Sequence, residues 1–249
     1  MKRLNVNCVL PVLALMICLA SCNGKKYKIE GKSSLTSLDG KTLYLRGIES
    51  DGQWVTVDSA EVVHGYFKME GEADSARLLT LCTADGEGIM PLVAESGKLE
   101  ITISGSQLSA RGTPLNDALY DFIDKHNKMR AQIDELERKE ARMVLDGANL
   151  DDIHEQLAEE GEKLAEEMNI YVKTFITDNF ENPLGPGVFM MVCGSMPYPI
   201  ITPEIEDIMR IAPSSFKEDP FVKDFLTKAK ENEQLIKEHA RLQQNMAEK

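Results

Sequence analysis

Two regimes of hydrophobic spacing divide this chain. From Tyr27 to about Arg111 apolar residues recur at every second position. Tyr27 and Ile29 alternate with lysines, and Leu43 and Leu45 with Thr42, Tyr44 and Arg46. Trp54-Val55-Thr56-Val57, Val62-Val63, Tyr66-Phe67-Lys68-Met69 and Leu99-Glu100-Ile101-Thr102-Ile103 follow. A period of two marks a strand with one buried face. Between these runs stand Asp39-Gly40, Asp51-Gly52, His64-Gly65, Asp85-Gly86, Ser96-Gly97 and Ser104-Gly105. Glycine there supplies the positive φ of tight hairpins. Short strands with regular turns predict an antiparallel β-sandwich or barrel over residues 27–112. The Asp-Gly pairs lack the Asp-x-Asp-x-Asp-Gly spacing of a calcium loop and are read as turns.

At Gly112-Thr113-Pro114 the period changes. Thr113 is placed to cap a helix that begins at Pro114. Leu119, Phe122, His126, Met129, Ile133, Leu136 and Met143 then form one apolar stripe along about nine turns. Asp146-Gly147-Ala148-Asn149 breaks it. A second stripe runs through Ile153, Leu157, Leu164, Met168, Tyr171, Phe175 and Ile176. Two long amphipathic helices with so short a connection predict an antiparallel hairpin, its outer faces solvated by Glu and Lys. Asn182-Pro183-Leu184-Gly185-Pro186-Gly187 ends it, and a short apolar helix is expected from about Val188 to Cys193. Thr202-Pro203 starts another helix, to about Ile211, and Asp219-Pro220 the last, with Phe221, Phe225, Asn232, Leu235, His239 and Leu242 on its inward face. The fold class is therefore α+β: the β domain at residues 27–112, then an all-helical region at residues 113–249.

The N-terminus sets the expected address. Lys2 and Arg3 precede an apolar run from Cys8 to Ala20, and Leu19-Ala20-Ser21 leads directly into Cys22. That run has 13 residues with Pro11 inside it, against the roughly 20 needed to span a bilayer. It reads as a cleaved lipoprotein signal over residues 1–21, with Cys22 acylated and residues 22–26 as a tether. Each buried acyl methylene contributes ~0.8 kcal/mol, so two or more chains hold a protein on a membrane stably. The expected location is the cell envelope, at the outer rather than the inner membrane, and the lack of an acidic run in Asn23-Gly24-Lys25-Lys26 points to its periplasmic side.

Charge and chemistry narrow the function classes. The formal net charge is −13, and the charged residues of the leader, Lys2 and Arg3, are both basic, so the mature chain is more acidic still. Such a chain repels nucleic acid. The cysteines remaining after Cys22 are Cys82 and Cys193, both in apolar runs, and they are expected to be buried and unpaired rather than bridged. The four histidines, His64, His126, His154 and His239, show no ligand spacing, so neither a metal nor a cofactor is expected. His126 and His239 are assigned to the core as satisfied histidines. No nucleophile elbow or phosphate loop is present. Cys193-Gly194-Ser195 lacks the basic neighbour that a reactive thiolate requires.

Leu43-Tyr44-Leu45, Asp58-Ser59, Gly65-Tyr66-Phe67 followed by Gly71, Gly112-Thr113-Pro114-Leu115-Asn116-Asp117 and Asn182-Pro183-Leu184-Gly185 occur in an order that resembles a domain of unknown function in exported lipoproteins. In that family the domain precedes a thioredoxin-like domain of the AhpC/TSA or thiol–disulfide oxidoreductase type. The resemblance implies the β domain, a helical connector and a redox context. No Cys-x-x-Cys occurs after residue 22, and thiol–disulfide exchange needs an attacking thiolate and usually a resolving partner. Redox activity is therefore not carried over. The resulting expectation is a non-catalytic, membrane-anchored accessory or protein-binding module, with a thioredoxin-like protein in trans as the partner that the resemblance implies. The alternatives are a thiol enzyme using Cys193 or Cys82, and a glycan- or peptide-binding sandwich with Trp54 as its stacking residue. A lone tryptophan in a strand is here assigned to the core.

Overall fold

The structure, a computed structural model, describes residues 25–49, 52–147, 149–194 and 196–247. The leader, Cys22 and most of the tether lie outside the described residues, as do Asp51 and Ser195. Eight strands are present: β1 (Lys26–Ser33), β2 (Thr42–Ile48), β3 (Trp54–Glu61), β4 (Tyr66–Glu72), β5 (Arg77–Cys82), β6 (Gly88–Ala94), β7 (Gly97–Ile103) and β8 (Leu108–Arg111). They form two sheets of four, in the orders β4-β1-β7-β8 and β3-β2-β5-β6. This is a sandwich, which resolves the choice left open between sandwich and barrel. Strict alternation places Tyr27, Ile29, Leu43, Leu45, Phe67, Met69, Leu99, Ile101 and Ile103 in its core.

The pairing is not wholly antiparallel. β1 lies between β4 and β7 and runs parallel to β7, with Ile29 opposite Leu99 and Gly31 opposite Ile101. Alternation along a strand reports which face is buried and not which way its neighbour runs, so the sequence pattern was blind to this pair. β1 also takes in Lys26, one residue of the segment assigned to the tether. Between β3 and β4, His64 and Gly65 both have positive φ (53° and 76°). They make the tight turn that lets Val63 and Tyr66 exchange backbone hydrogen bonds of 2.8 and 3.0 Å.

Six helices follow: α1 (Pro114–Leu145), α2 (Leu150–Asp178), α3 (Leu184–Cys193), α4 (Pro203–Ile211), α5 (Ser214–Lys217) and α6 (Pro220–Ala247). α1 and α2 form the expected antiparallel hairpin. Near its base Phe122 stacks on Tyr171 (centroids 5.4 Å apart) and packs on Phe175 (4.5 Å). Midway Lys139 pairs with Glu160 at 2.6 Å, and toward the tip His154 Nε2 lies 3.1 Å from Glu140 Oε1. Among the described residues no helix is long and apolar enough to cross a membrane.

Three helical details depart from expectation. α3 starts at Leu184 rather than Val188. Asn182 Oδ1 accepts the Leu184 N–H at 2.9 Å, and Pro186 sits in the first turn, where its missing N–H has no intrahelical role. Thr113 does not cap α1 through its hydroxyl. That role passes to Glu95, whose Oε1 accepts the N–H groups of Leu115 (2.8 Å) and Asn116 (3.2 Å), placing a carboxylate at a helix N-terminus. On α6 the buried residues are Val222, Phe225 and Ala229. Leu235 is 54% exposed, and His239 is exposed as well, because the helix runs on past the body that covers its first turns. Leu242 lies outside the described side chains.

Candidate functional site

The two thiols lie within the packed body. Cys82 and Cys193 are both buried and unpaired, as expected. The Cys82 thiol donates to the Thr80 carbonyl at 3.5 Å. Its pKa is raised by burial despite the Arg46 guanidinium nearby. Cys193, at the end of α3, is pushed up to about 12 by burial. A reactive thiolate requires the opposite shift. The histidines are dispersed. His64 is exposed in its turn, and His154 is exposed beside Glu140. His126 is half-buried against Phe122 (5.6 Å), where burial, then Arg130, lower its pKa. His239, assigned to the core, lies on the open face of α6. Among the described residues no three His, Cys, Asp or Glu side chains gather into a metal-sized cluster.

Trp54 is the principal correction. It was assigned to the core and is instead 58% exposed. Val55 and Val57 take the inward parity of β3, so Trp54 and Thr56 point the other way; the alternation Trp-Val-Thr-Val was the available signal. Across the β2–β3 hairpin Trp54 stands directly opposite Ile48, itself 40% exposed. Together they form the mouth of a cleft of about 410 Å³ between the outer face of the β3-β2-β5-β6 sheet and the starts of α3 and α6. Leu78 lines the sheet side, and Pro183, Pro186, Met190 and Phe221 the helical side. A Cβ on Gly187 would overlap the Leu78 side chain, so the glycine sets how closely α3 approaches the sheet. The charged groups are few. The Arg46 guanidinium lies 5.0 Å from the Tyr44 ring, Arg77 is 3.9 Å from Glu49, and Asp219 caps α6 through the N–H groups of Phe221 and Val222.

A second cleft, about 710 Å³, lies between β6, the β7–β8 connection and α1. Two of its polar side chains are already paired. Tyr120 donates to the Pro91 carbonyl at 2.8 Å, and Ser104 Oγ accepts from Gln107 N–H at 2.9 Å. The Trp54 cleft is thus the better candidate: apolar walls, an exposed aromatic and cations at its rim.

Apart from Pro183, on the cleft's helical wall, the residues that carried the resemblance lie elsewhere, several of them in the joints of the sandwich. The Tyr27 hydroxyl of one sheet donates to Asp58 Oδ2 of the other at 3.0 Å. Burial, then that carboxylate, raise the phenol's pKa. A Cβ on Gly71 would overlap the same Tyr27 ring. Gly112 turns β8 into α1 with φ 115° while its N–H donates to Asp117 Oδ1 at 2.9 Å. Arg111 binds the Asp117 carbonyl (2.9 Å), Asp121 (2.6 Å) and Asp124 (3.1 Å). Residues 27–119 match the family model of a domain of unknown function, DUF4369. The DUF4369 match takes in all eight strands but the first residue of β1, and it ends inside α1, past the Asn116 joint. It therefore covers one wall of the Trp54 cleft, and the helical wall falls outside it. No curated protein matches the chain.

Proposed function

We propose that this chain is a lipid-anchored cell-envelope protein that works by binding a protein partner through the Trp54 cleft rather than by catalysis. The exposure of Trp54, paired with Ile48 at the mouth of an apolar cleft, carries this reading. An indole held open to water on a rigid strand is a strong contact residue at interfaces. Anchoring through Cys22, which rests on the leader pattern, and a periplasm-facing position at the outer membrane, supported by the lack of an acidic run at residues 23–26, belong to the same proposal. A thioredoxin-like protein acting in trans is the partner class that the resemblance supplies.

The competing readings have less support. Thiol chemistry would need Cys82 or Cys193 to be open and acidic, and burial acts against both requirements. A sugar would stack on Trp54, but the remaining lining is mostly apolar and offers few polar groups to its hydroxyls. An extended apolar polypeptide fits this lining better. The test is capture from envelope extracts by the lipidated chain, alongside its Trp54→Ala variant. The reading expects a discrete partner retained by the wild type and lost from a variant of equal thermal stability. A partner profile indifferent to Trp54 would overturn it.

A further inference from the structure

A β-sandwich has four edges, and three of them here are closed. On β6, Pro91 offers no N–H and its carbonyl is taken by Tyr120, while Asn116 occupies both backbone groups of Val93. β8 has four residues and ends in Arg111, which is bound to α1. β4 carries Lys68, Glu70 and Glu72, with Glu70 near Lys26 and Lys28 and Lys68 near Glu30. Proline, charge, brevity and cover are the usual means of blunting an edge. β3 lacks them where it matters. It has eight residues, pairs only with β2 among the described residues, and its stretch Trp54–Val57 has neither proline nor charge.

The register identifies which groups are open. The Glu49 N–H donates to the Gln53 carbonyl at 2.9 Å, closing the β2–β3 hairpin on that pair. Hydrogen-bonded and non-bonded pairs alternate along an antiparallel ladder, so Gly47 and Val55 bond each other while Trp54 and Thr56 direct their N–H and C=O groups outward. The register shift between Leu45 and Arg46 ends this open stretch.

We infer that the outer edge of β3 at Trp54 and Thr56 accepts an extended segment of another protein as an added strand. An apolar side chain of that segment lies against Trp54, and a carboxylate reaches toward Arg46. This inference rests on the binding role proposed above and assigns its mode, strand addition with side-chain pockets. The side chains on one face of the added strand fall beside Trp54, at the mouth of the cleft. Arg46 lies across the short Thr56 from them and has no carboxylate partner among the described residues. A second copy of the chain is the poorer occupant, because two chains of net charge −13 repel.

The probe is the N-acetylated, C-amidated heptapeptide Thr-Val-Thr-Glu-Thr-Val-Thr, whose valines and glutamate share one face. It is added to the intact lipidated chain in detergent micelles while amide exchange at residues 54–57 and Trp54 emission are followed. Exchange there is expected to slow by about tenfold or more. The protection should vanish with a backbone N-methylated analogue and weaken several-fold with lysine in place of the glutamate. The Arg46→Gln variant should erase that glutamate preference. An emission change without amide protection would overturn strand addition and leave the binding role standing. No response in either signal would overturn strand addition too, and the binding role falls with it only if Trp54-dependent capture also fails. Protection already present without peptide, together with a dimer in sedimentation, would assign the edge to a second copy and overturn the inference.

Discussion

Asn116 closes a two-way hydrogen-bonded pair with Val93. The Val93 N–H donates to Asn116 Oδ1 at 2.9 Å, and Asn116 Nδ2 donates to the Val93 carbonyl at 2.8 Å. One side-chain amide at the start of α1 thus does for β6 what a neighbouring strand would do. Nδ2 also donates to Thr113 Oγ1 at 2.8 Å. Both Asn116 and Thr113 are buried, so none of these groups can turn to water instead.

Asn116→Ala leaves buried backbone donors and acceptors unmet, each costing roughly 1–3 kcal/mol. A loss on the order of 2–4 kcal/mol in urea unfolding is expected. Asn116→Asp, which keeps an acceptor but removes every bond that Nδ2 donates, to Val93, Thr113 and Glu95, should be no better. A change of a few tenths of a kcal/mol would show that the pair is incidental.

Trp54 is the only tryptophan, so intrinsic emission reports on it alone. The folded protein is expected to emit as a water-exposed indole and to be quenched by iodide. Trp54→Ala should change unfolding free energy by less than about 1 kcal/mol, as for most exposed positions. Blue-shifted, unquenched emission would return the residue to the core.

Neither Cys82 nor Cys193 should react with a neutral-pH thiol reagent while the chain is folded, and both should react promptly in denaturant. Burial raises both pKa values, Cys193 to about 12. The neutral thiol is a poor nucleophile.

His126 makes stability depend on pH. Burial, then Arg130, lower its folded pKa below the ordinary value of about 6.5. The unfolded chain therefore binds the proton more readily. The stability contribution is full above the unfolded value and is lost as pH falls through it toward the folded one. Thermal midpoints should drop between about pH 7 and 5, and His126→Phe should drop less over the same window. Parallel slopes would remove His126 as a cause.

Much of the architecture was legible because it is periodic. The alternation of Leu43 and Leu45 and the stripe from Leu119 to Met143 each encode a buried face, and the structure buries or half-buries them. What was illegible depends on partners distant in sequence. Glu95 caps α1 from 20 residues away, and nothing local in Glu-Ser-Gly announces it. β1 and β7 run parallel because of how the sheet is threaded. Leu235 continues the stripe of α6 beyond the body that would bury it. The place of Trp54 is legible locally, since its parity opposite Val55 and Val57 sets it on the outer face.

The most direct measurement places a photo-crosslinking benzoylphenylalanine at position 54 in the lipidated chain and irradiates intact cells, with position 162 on the outer face of α2 as the control. A single discrete adduct from position 54, absent from position 162, is the predicted result. Adducts equally from both positions, or none from position 54 in a folded and exported protein, would contradict a binding role for this cleft.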